Sequence, residues 1–378
     1  MLKLNKITLE GYKSIRQCRD LKLEKLNVLI GANGAGKSNF LSFFKLLKSE
    51  MTGDLQVFIG SNGGRESLLH FGAKVTPQIA AELEVIFESR PFSYRMTLAD
   101  ALPDTLKFKE ESYTSFIPGV GVEEGRNLSL IPGAPFYLGA GHPESALLSP
   151  ERASNTIPRY IKSTLAGFRV YHFLDTSDQS HMRSRSDLRD PPYLKGDGGN
   201  IAVHLRLLRE KEPECYQRVV EAVRLVFPLF RDFVLEPDNG GNFVMLRWKA
   251  VGSAEYDFGP HQISDGTLRF VALATLLLQP QEWLPPLIAI DEPELGLHPY
   301  AIKLLASLLA DASERTQVLV ATQSAALVDE VRPEDVIVAN LEEGATSLER
   351  LDREELTDWL KDYSLSQMWE TNLFGGRP

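Results

Sequence analysis

The stretch Gly31-Ala32-Asn33-Gly34-Ala35-Gly36-Lys37-Ser38 limits what this chain can become more than any other part of it. It follows the apolar run Leu26-Asn27-Val28-Leu29-Ile30 and precedes Asn39-Phe40-Leu41-Ser42-Phe43-Phe44, an order that predicts strand, loop and helix. In that setting G-x-x-x-x-G-K-S is a phosphate cradle. Glycine admits backbone conformations that other residues resist, so successive N–H groups can converge on the phosphates of a nucleotide. Lys37 adds a point charge, and the helix opening at Lys37 presents its unpaired N–H groups to the same anion. The Ser38 hydroxyl is placed to ligate Mg²⁺. Gly31, Asn33, Gly34, Ala35, Gly36, Lys37, Ser38 and Asn39 are the candidate nucleotide contacts; a plain glycine-rich turn is the alternative that a second motif must exclude.

With 378 residues, 43% hydrophobic and 24% charged, the chain suits one large domain or two smaller ones around a sizeable core. A formal charge of −10 argues against a surface that coats nucleic acid nonspecifically, while leaving room for a local basic groove. Cys18 and Cys215 offer neither a disulfide framework nor metal spacing, as expected of a reducing compartment. The polar start Met1-Leu2-Lys3-Leu4-Asn5-Lys6 is unlike a signal peptide, and the longest apolar run, Phe270 to Leu278, falls short of a membrane span. A cytoplasmic protein without membrane attachment is expected.

Leu4 to Leu9 and Asp20 to Leu29 read as strands forming an antiparallel edge beside the nucleotide strand, and the helix from Lys37 should end near Met51. From Pro77 the pattern turns to period two, predicting an antiparallel meander, followed over 118–158 by loops with one short strand near Phe136. A helix over Ile201 to Phe227 should break at Pro213. Asn239-Gly240-Gly241-Asn242 then predicts a hairpin joining Phe233-Val234-Leu235 to Phe243–Trp248. All-apolar strands return at Leu287–Ile290, Val318–Ala321 and Val336–Ala339, as in a sheet covered on both faces.

The second motif is Leu287-Ile288-Ala289-Ile290-Asp291-Glu292, a buried strand ending in two carboxylates. Asp291 at the strand tip suits Mg²⁺, and Glu292 can polarise the water that attacks a γ-phosphate. Without the phosphate loop the pair would read as a helix cap; with it, hydrolysis is the reading. The long separation of Asp291 from Ser38 excludes a compact GTPase and suits a nucleotide domain interrupted by a second lobe.

Ahead of the carboxylates, Ile263-Ser264-Asp265-Gly266-Thr267-Leu268-Arg269 opens a helix. Here the chain resembles the ABC-type ATPase heads of the RecF and SMC group. In that family a Ser-x-Gly signature binds the γ-phosphate held by the opposite subunit; Ser264 and Gly266 match it, and Asp265 replaces the more usual glycine. Glu294-Leu295-Gly296-Leu297-His298-Pro299 resembles the loop that crosses the dimer interface. Val320-Ala321-Thr322-Gln323-Ser324 stands where the family has a strand followed by Thr-His-Ser, with Gln323 in place of the switch histidine. Its amide can hold the γ-phosphate or the attacking water, but it cannot exchange a proton near neutral pH. Trp359, Trp369 and the end Gly375-Gly376-Arg377-Pro378 are similar to small bacterial RecF-like ATPases, and overcoming-lysogenisation nucleases carry a similar head followed by a nuclease domain.

The resemblance implies an α/β fold, an ABC-type P-loop ATPase head with a mixed sheet flanked by helices. Residues 1–75 and 255–378 would be the nucleotide-binding core and 76–254 an inserted antiparallel-β and helical lobe. It further implies ATP and Mg²⁺ as ligands, a homodimer closed head to tail, and links to DNA repair or to defence against phage and plasmids. A nucleotide-gated module that recruits DNA or an effector protein with little turnover is the alternative. The family's lobe-linking glutamine is not evident, with Gln56 and Gln179 as candidates. His172, His181 and His298 read as structural or interfacial, and Arg183, Arg185 and Arg189 as a solvated loop.

Overall fold

The computed structural model describes residues 2–87, 90–118, 130–150, 156–237, 241–252 and 255–377. At its centre lies a six-stranded sheet in the order Ala345–Arg350, Val336–Glu342, Leu26–Ile30, Gln317–Thr322, Leu287–Asp291 and Arg169–Tyr171. Its neighbours run parallel except the outer pair Val336–Glu342 and Ala345–Arg350. These strands are continuously apolar because both faces are covered. Leu29, Leu287, Ala289, Leu319 and Ala321 pack on Phe40, Phe43 and Phe44 of the helix Lys37–Thr52. Alternate residues Val28, Ile30, Ile288, Ile290, Val318 and Val320 share the opposite core with the helices Asp265–Leu277 and Pro299–Ser313.

A seven-stranded antiparallel sheet covers the other side of the helix Lys37–Thr52. It runs Ile15–Lys22, Leu2–Tyr12, Gln78–Phe87, Arg90–Ala101, Thr105–Pro118 and Leu130–Pro132, with Phe136–Gly139 also paired to Thr105–Pro118. Leu4, Ile7, Leu9, Leu83, Tyr94 and Met96 from this sheet bury against Phe40, Phe43 and Leu47. Each such side chain contributes about 1.5–3 kcal/mol of transfer free energy, which fixes the nucleotide helix between two sheets.

The run Asp20 to Leu29 is not one strand. Ile15–Lys22 belongs to the antiparallel sheet and Leu26–Ile30 to the parallel one. The chain changes sheets at Leu23–Lys25, where the Asn27 side chain accepts from Glu24 N (2.8 Å) and donates to Glu24 O (2.8 Å) and Val318 O (3.1 Å). The first two strands therefore do not lie beside the nucleotide strand. Such a side-chain turn leaves no mark on hydropathy periodicity.

The meander appears as expected over Gln78–Pro118. Phe136–Gly139 supplies the short strand, while 119–129 and 151–155 lie outside the described residues. Two helices, Ile201–Lys211 and Pro213–Val226, replace the single run, with Pro213 at the first turn of the second, where its missing N–H costs nothing. The expected hairpin forms only in part: Phe230–Val234 pairs with Arg247–Ala250, but Phe243–Val244 pairs with Ser186–Asp187. Its turn at 238–240 lies outside the described residues. The segment 76–254 gives strands to both sheets, since Gln78–Phe87 pairs with Leu2–Tyr12 and Arg169–Tyr171 with Leu287–Asp291. Among the described residues no helix is long and apolar enough to cross a membrane.

Candidate nucleotide site

The loop between Ile30 and the helix Lys37–Thr52 is held open by glycine. Gly36 takes φ 96°, and a Cβ there would fall 2.1 Å from Thr346 Oγ1, so only glycine lets the strand Ala345–Arg350 approach the loop. Thr346 Oγ1 donates to Ala35 O (2.9 Å) and shares a hydrogen bond with Ser14 Oγ (2.8 Å), and Asn39 Nδ2 donates to the same Ser14 Oγ (2.8 Å). Ser14 and Thr346 thus brace the cradle from opposite ends of the chain. Neither belongs to a motif in the sequence; Ser14 lies in the turn between the strands Leu2–Tyr12 and Ile15–Lys22.

Lys37 is buried, and its Nζ donates to Gly31 O (2.6 Å) and Ala32 O (2.9 Å). Burial lowers its pKa below the usual lysine value, against the raising influence of Glu292, Asp291 and Glu294. The ammonium is therefore held by dipoles of its own loop in a field of carboxylates.

Asp291 ends the strand Leu287–Asp291 in a buried position, with Oδ1 lacking a hydrogen-bond partner among the described residues and Oδ2 3.8 Å from His172 Nδ1. Glu292 follows at φ 45°, a left-handed conformation that costs a non-glycine residue roughly 1–3 kcal/mol. Its N–H donates to Ala321 O (2.8 Å), and its Oε1 accepts from Gln323 Nε2 at 2.5 Å. Glu294, nearly buried, accepts through Oε1 from Thr322 Oγ1 (2.5 Å) and Gln323 N (3.3 Å). Burial raises the Glu294 pKa above the usual carboxylate value. Glu294 therefore ties the Asp291–Glu292 turn to the end of the strand Gln317–Thr322, a role whose only mark in the sequence is the third acid of Asp291-Glu292-Pro293-Glu294.

Asn33, Gly34, Gly36, Lys37, Ser38, Asn39, Glu292 and Gln323 line one pocket of about 190 Å³. It lies at the carboxyl ends of the parallel strands, where open α/β sheets bind ligands. A larger cleft of about 910 Å³ lies at their amino ends beside Lys25, Gln317 and Asp335, away from all of these groups. The candidate site is marked by the convergence of chemistry, not by size. Asp291 Oδ1, out of water and without a donor, together with the Ser38 hydroxyl on the pocket wall, fits a Mg²⁺ ion.

Ser264 and Gly266 are not part of this pocket. Ser264 is exposed and caps the helix Asp265–Leu277, its Oγ accepting from Thr267 N at 3.2 Å. Gly266 packs on the next loop: a Cβ there would fall 2.3 Å from Gly296 O. Asp265 pairs at 2.7 Å with Arg183, which is buried and also donates to Thr176 O (2.9 Å), Ile263 O (3.1 Å) and Pro260 O. Arg183 is thus not on a solvated loop. It pairs with the acid that stands where the resembled family has glycine. Arg189 keeps its exposed pairing with Asp187.

Of the two glutamine candidates, Gln56 donates to Leu106 O (3.1 Å) and Pro143 O (2.7 Å), fastening a helix to the meander, and Gln179 lies in an exposed turn. Neither lines the pocket. His298 caps the helix Pro299–Ser313, and His181 pairs with Asp197 at the surface. His172 is the histidine that the fold brings beside a site residue.

A family profile described as "AAA domain, putative AbiEii toxin, Type IV TA system" matches residues 26–329. This chain belongs to that family. The match spans the phosphate loop, the signature helix, the paired acids and Gln323 of this AAA domain. Among curated proteins it is similar to "Structural maintenance of chromosomes protein 3" of Arabidopsis thaliana, 26% identical over 176 residues, covering 44% of this chain and 14% of that protein. It is also similar to "Urease accessory protein 2" of Cryptococcus neoformans, 34% identical over 85 residues, covering 22% of this chain and 7% of that protein. The AAA domain therefore matches only a small part of either relative's length. Two solved structures share its fold. One is an Smc head bound to the C-winged helix domain of ScpA, 15% identical with TM-score 0.58, covering 93% of this chain and 99% of that one. The other is an Smc head with an extended coiled coil bound to the C-terminal domain of ScpA, from Pyrococcus furiosus, 14% identical with TM-score 0.58, covering 96% and 99%. The AAA domain thus has the fold of these Smc heads.

Proposed function

We propose that this AAA domain binds ATP with Mg²⁺ and hydrolyses it to ADP and phosphate, as two copies closed head to tail, in DNA repair or in defence against phage and plasmids. The observation that carries this reading is the convergence of Lys37, Glu292 and Gln323 on one pocket, with the signature residue Ser264 exposed outside it. Backbone N–H groups of residues 33–39 and the Lys37 ammonium bind the triphosphate. Ser38 and Asp291 would hold Mg²⁺, which when bound offsets charge on the phosphates. Glu292 takes a proton from the attacking water, and Gln323 keeps its carboxylate aimed. Ser264 and Gly266 would complete the site of a second copy, the long Asp291–Ser38 separation being filled by the inserted lobe 76–254 between the core segments 1–75 and 255–378.

A second reading has support in the Gln323–Glu292 hydrogen bond, which occupies the base: a nucleotide-gated module that recruits DNA or an effector protein with little turnover. ATPase rate with and without DNA, and mass in solution with and without ATP, separate the two. Turnover that falls at least about a hundredfold in Glu292→Gln, with ATP binding retained, is the expected result. Normal turnover in that variant would mean another base; no turnover in the wild type alongside ATP-dependent association would favour the gated module.

A further inference from the structure

A second cleft, of about 380 Å³, lies on the solvent side of the nucleotide helix, between that helix, the edge strand Arg169–Tyr171 and the loop Tyr193–Gly196. Its wall carries Lys45, Lys48, Arg169 and Lys195 in a chain with 51 acidic and 41 basic residues. Its acids are few. Asp54 accepts from Thr52 Oγ1 (2.7 Å), and Asp190 pairs with Lys195 (2.7 Å). Among the described residues Lys45, Lys48 and Arg169 have no carboxylate within ion-pair distance. Arg169 is held by backbone instead: Nη1 donates to Ala166 O (2.7 Å) and Phe168 O (3.1 Å). Its guanidinium lies 5.0 Å from the centre of the Tyr193 ring, and Tyr193 is 46% exposed.

Like charges in a cleft repel. Burial depresses the Lys48 pKa and the neighbouring Arg169 depresses it further, against the raising influence of Asp54. A fold that holds unpaired cations together at this cost has a surface suited to an anion. The cations are strung out rather than gathered on one point. Lys45 and Lys48 stand about one helical turn apart on the same helix, and Arg169 and Lys195 continue the line onto a strand and a loop. That arrangement follows a phosphodiester chain better than a single phosphate. The half-exposed Tyr193 ring beside it offers a face for an unpaired base, which a duplex keeps stacked inside.

We propose that this cleft binds single-stranded nucleic acid, with phosphates on Lys45, Lys48, Arg169 and Lys195 and a base on Tyr193. Two of the elements that form it lead to the nucleotide pocket. The helix bearing Lys45 and Lys48 begins at Lys37, and the strand bearing Arg169 leads to His172 beside Asp291. The site names a partner for the ATPase proposed above, yet it rests on the cleft alone, and its test needs no nucleotide.

The test is fluorescence anisotropy of a labelled oligothymidylate of about 20 nucleotides, and of a duplex of equal length, with the full chain from about 50 to 200 mM salt. Lys45→Glu with Lys48→Glu should weaken single-strand binding at least about tenfold and flatten the salt dependence by about 0.7 per lost phosphate contact. Tyr193→Ala should weaken it about tenfold while leaving the salt dependence unchanged. Lys37→Ala should bind the oligonucleotide like the wild type, which separates this site from the ATPase. Wild-type affinity in the double lysine variant, or no binding by the wild type at the lowest salt, would overturn the proposal. Tighter binding of the duplex, with Tyr193→Ala indistinguishable from wild type, would overturn the single-strand assignment.

Discussion

Gln323 donates its side-chain amide to Glu292 at 2.5 Å, joining the ends of two adjacent parallel strands, Gln317–Thr322 and Leu287–Asp291. Glu292 sits at φ 45°, so its side chain is aimed by a strained backbone and by this one amide together. An amide positions a carboxylate without trading protons with it. Gln323→Ala should therefore lower turnover about tenfold or more while sparing ATP affinity, and Gln323→His should keep activity but add a pH dependence in the imidazole range. Steady-state kinetics across pH read both. An Ala variant with unaltered kcat would make the contact merely structural.

Among the described residues Lys37 is held by carbonyls of its own loop, Gly31 and Ala32, which a triphosphate can replace. Lys37→Ala removes a charge-assisted contact worth about 1.5–3 kcal/mol, so ATP affinity should fall at least about tenfold. Calorimetric titration measures it; undiminished affinity would sink the nucleotide reading altogether.

Ser264 is exposed and absent from the lining of the pocket that contains Lys37, so its proposed action requires a second copy. ATP should promote association and ADP should not. Lys37→Ala and Ser264→Arg, each inactive alone, should recover ATPase activity when mixed, because one composite site of the mixed dimer escapes both lesions. Full activity in a monomer held in ATP would end the head-to-tail account.

Arg183 neutralises Asp265 at the signature helix from a buried position. Arg183→Met should leave Asp265 uncompensated at an anion site and weaken ATP-driven association at least about fivefold; the pair Arg183→Met with Asp265→Gly should recover part of that loss. Sedimentation with ATP distinguishes this from simple instability, since the double variant would not regain association if only folding were affected.

Glu50 lies on the buried side of the nucleotide helix, fully covered, with neither carboxylate oxygen hydrogen-bonded among the described residues. Burial raises its pKa well above the usual 4.5, with Glu111 and Glu144 adding to the effect. A folded state that holds this proton more tightly than the unfolded chain is favoured below the unfolded pKa and loses that advantage as pH rises through the folded value. Glu50→Gln keeps the shape without the titration. Its Tm should match the wild type near pH 4.5 and rise above it progressively at higher pH, as its stability advantage grows by up to about 1.4 kcal/mol per pH unit. A gap in Tm that stays constant with pH would contradict the burial argument.

The parts legible in the sequence are those whose chemistry depends on chain neighbours. A glycine loop between a strand and a helix, two acids at the tip of an apolar run, a serine before a helix and a proline that divides one each constrain the local backbone, and the corresponding elements appear at Gly31–Ser38, Asp291–Glu292, Ser264 and Pro213. Only the tertiary structure decided which distant groups meet there. The run Asp20–Leu29 divides between two sheets because Asn27 bonds to Val318, and the cradle is braced by Ser14 and Thr346, 332 positions apart. Arg183, placed by its sequence on a charged loop, is drawn inside by carbonyls of residues 176, 260 and 263. Glu294 reaches Thr322, and Lys48 comes to face Arg169, only after parallel strands have stacked and the helix has been pressed between two sheets. Hydropathy and spacing report what a residue needs from its surroundings, whereas packing determines which residue supplies it.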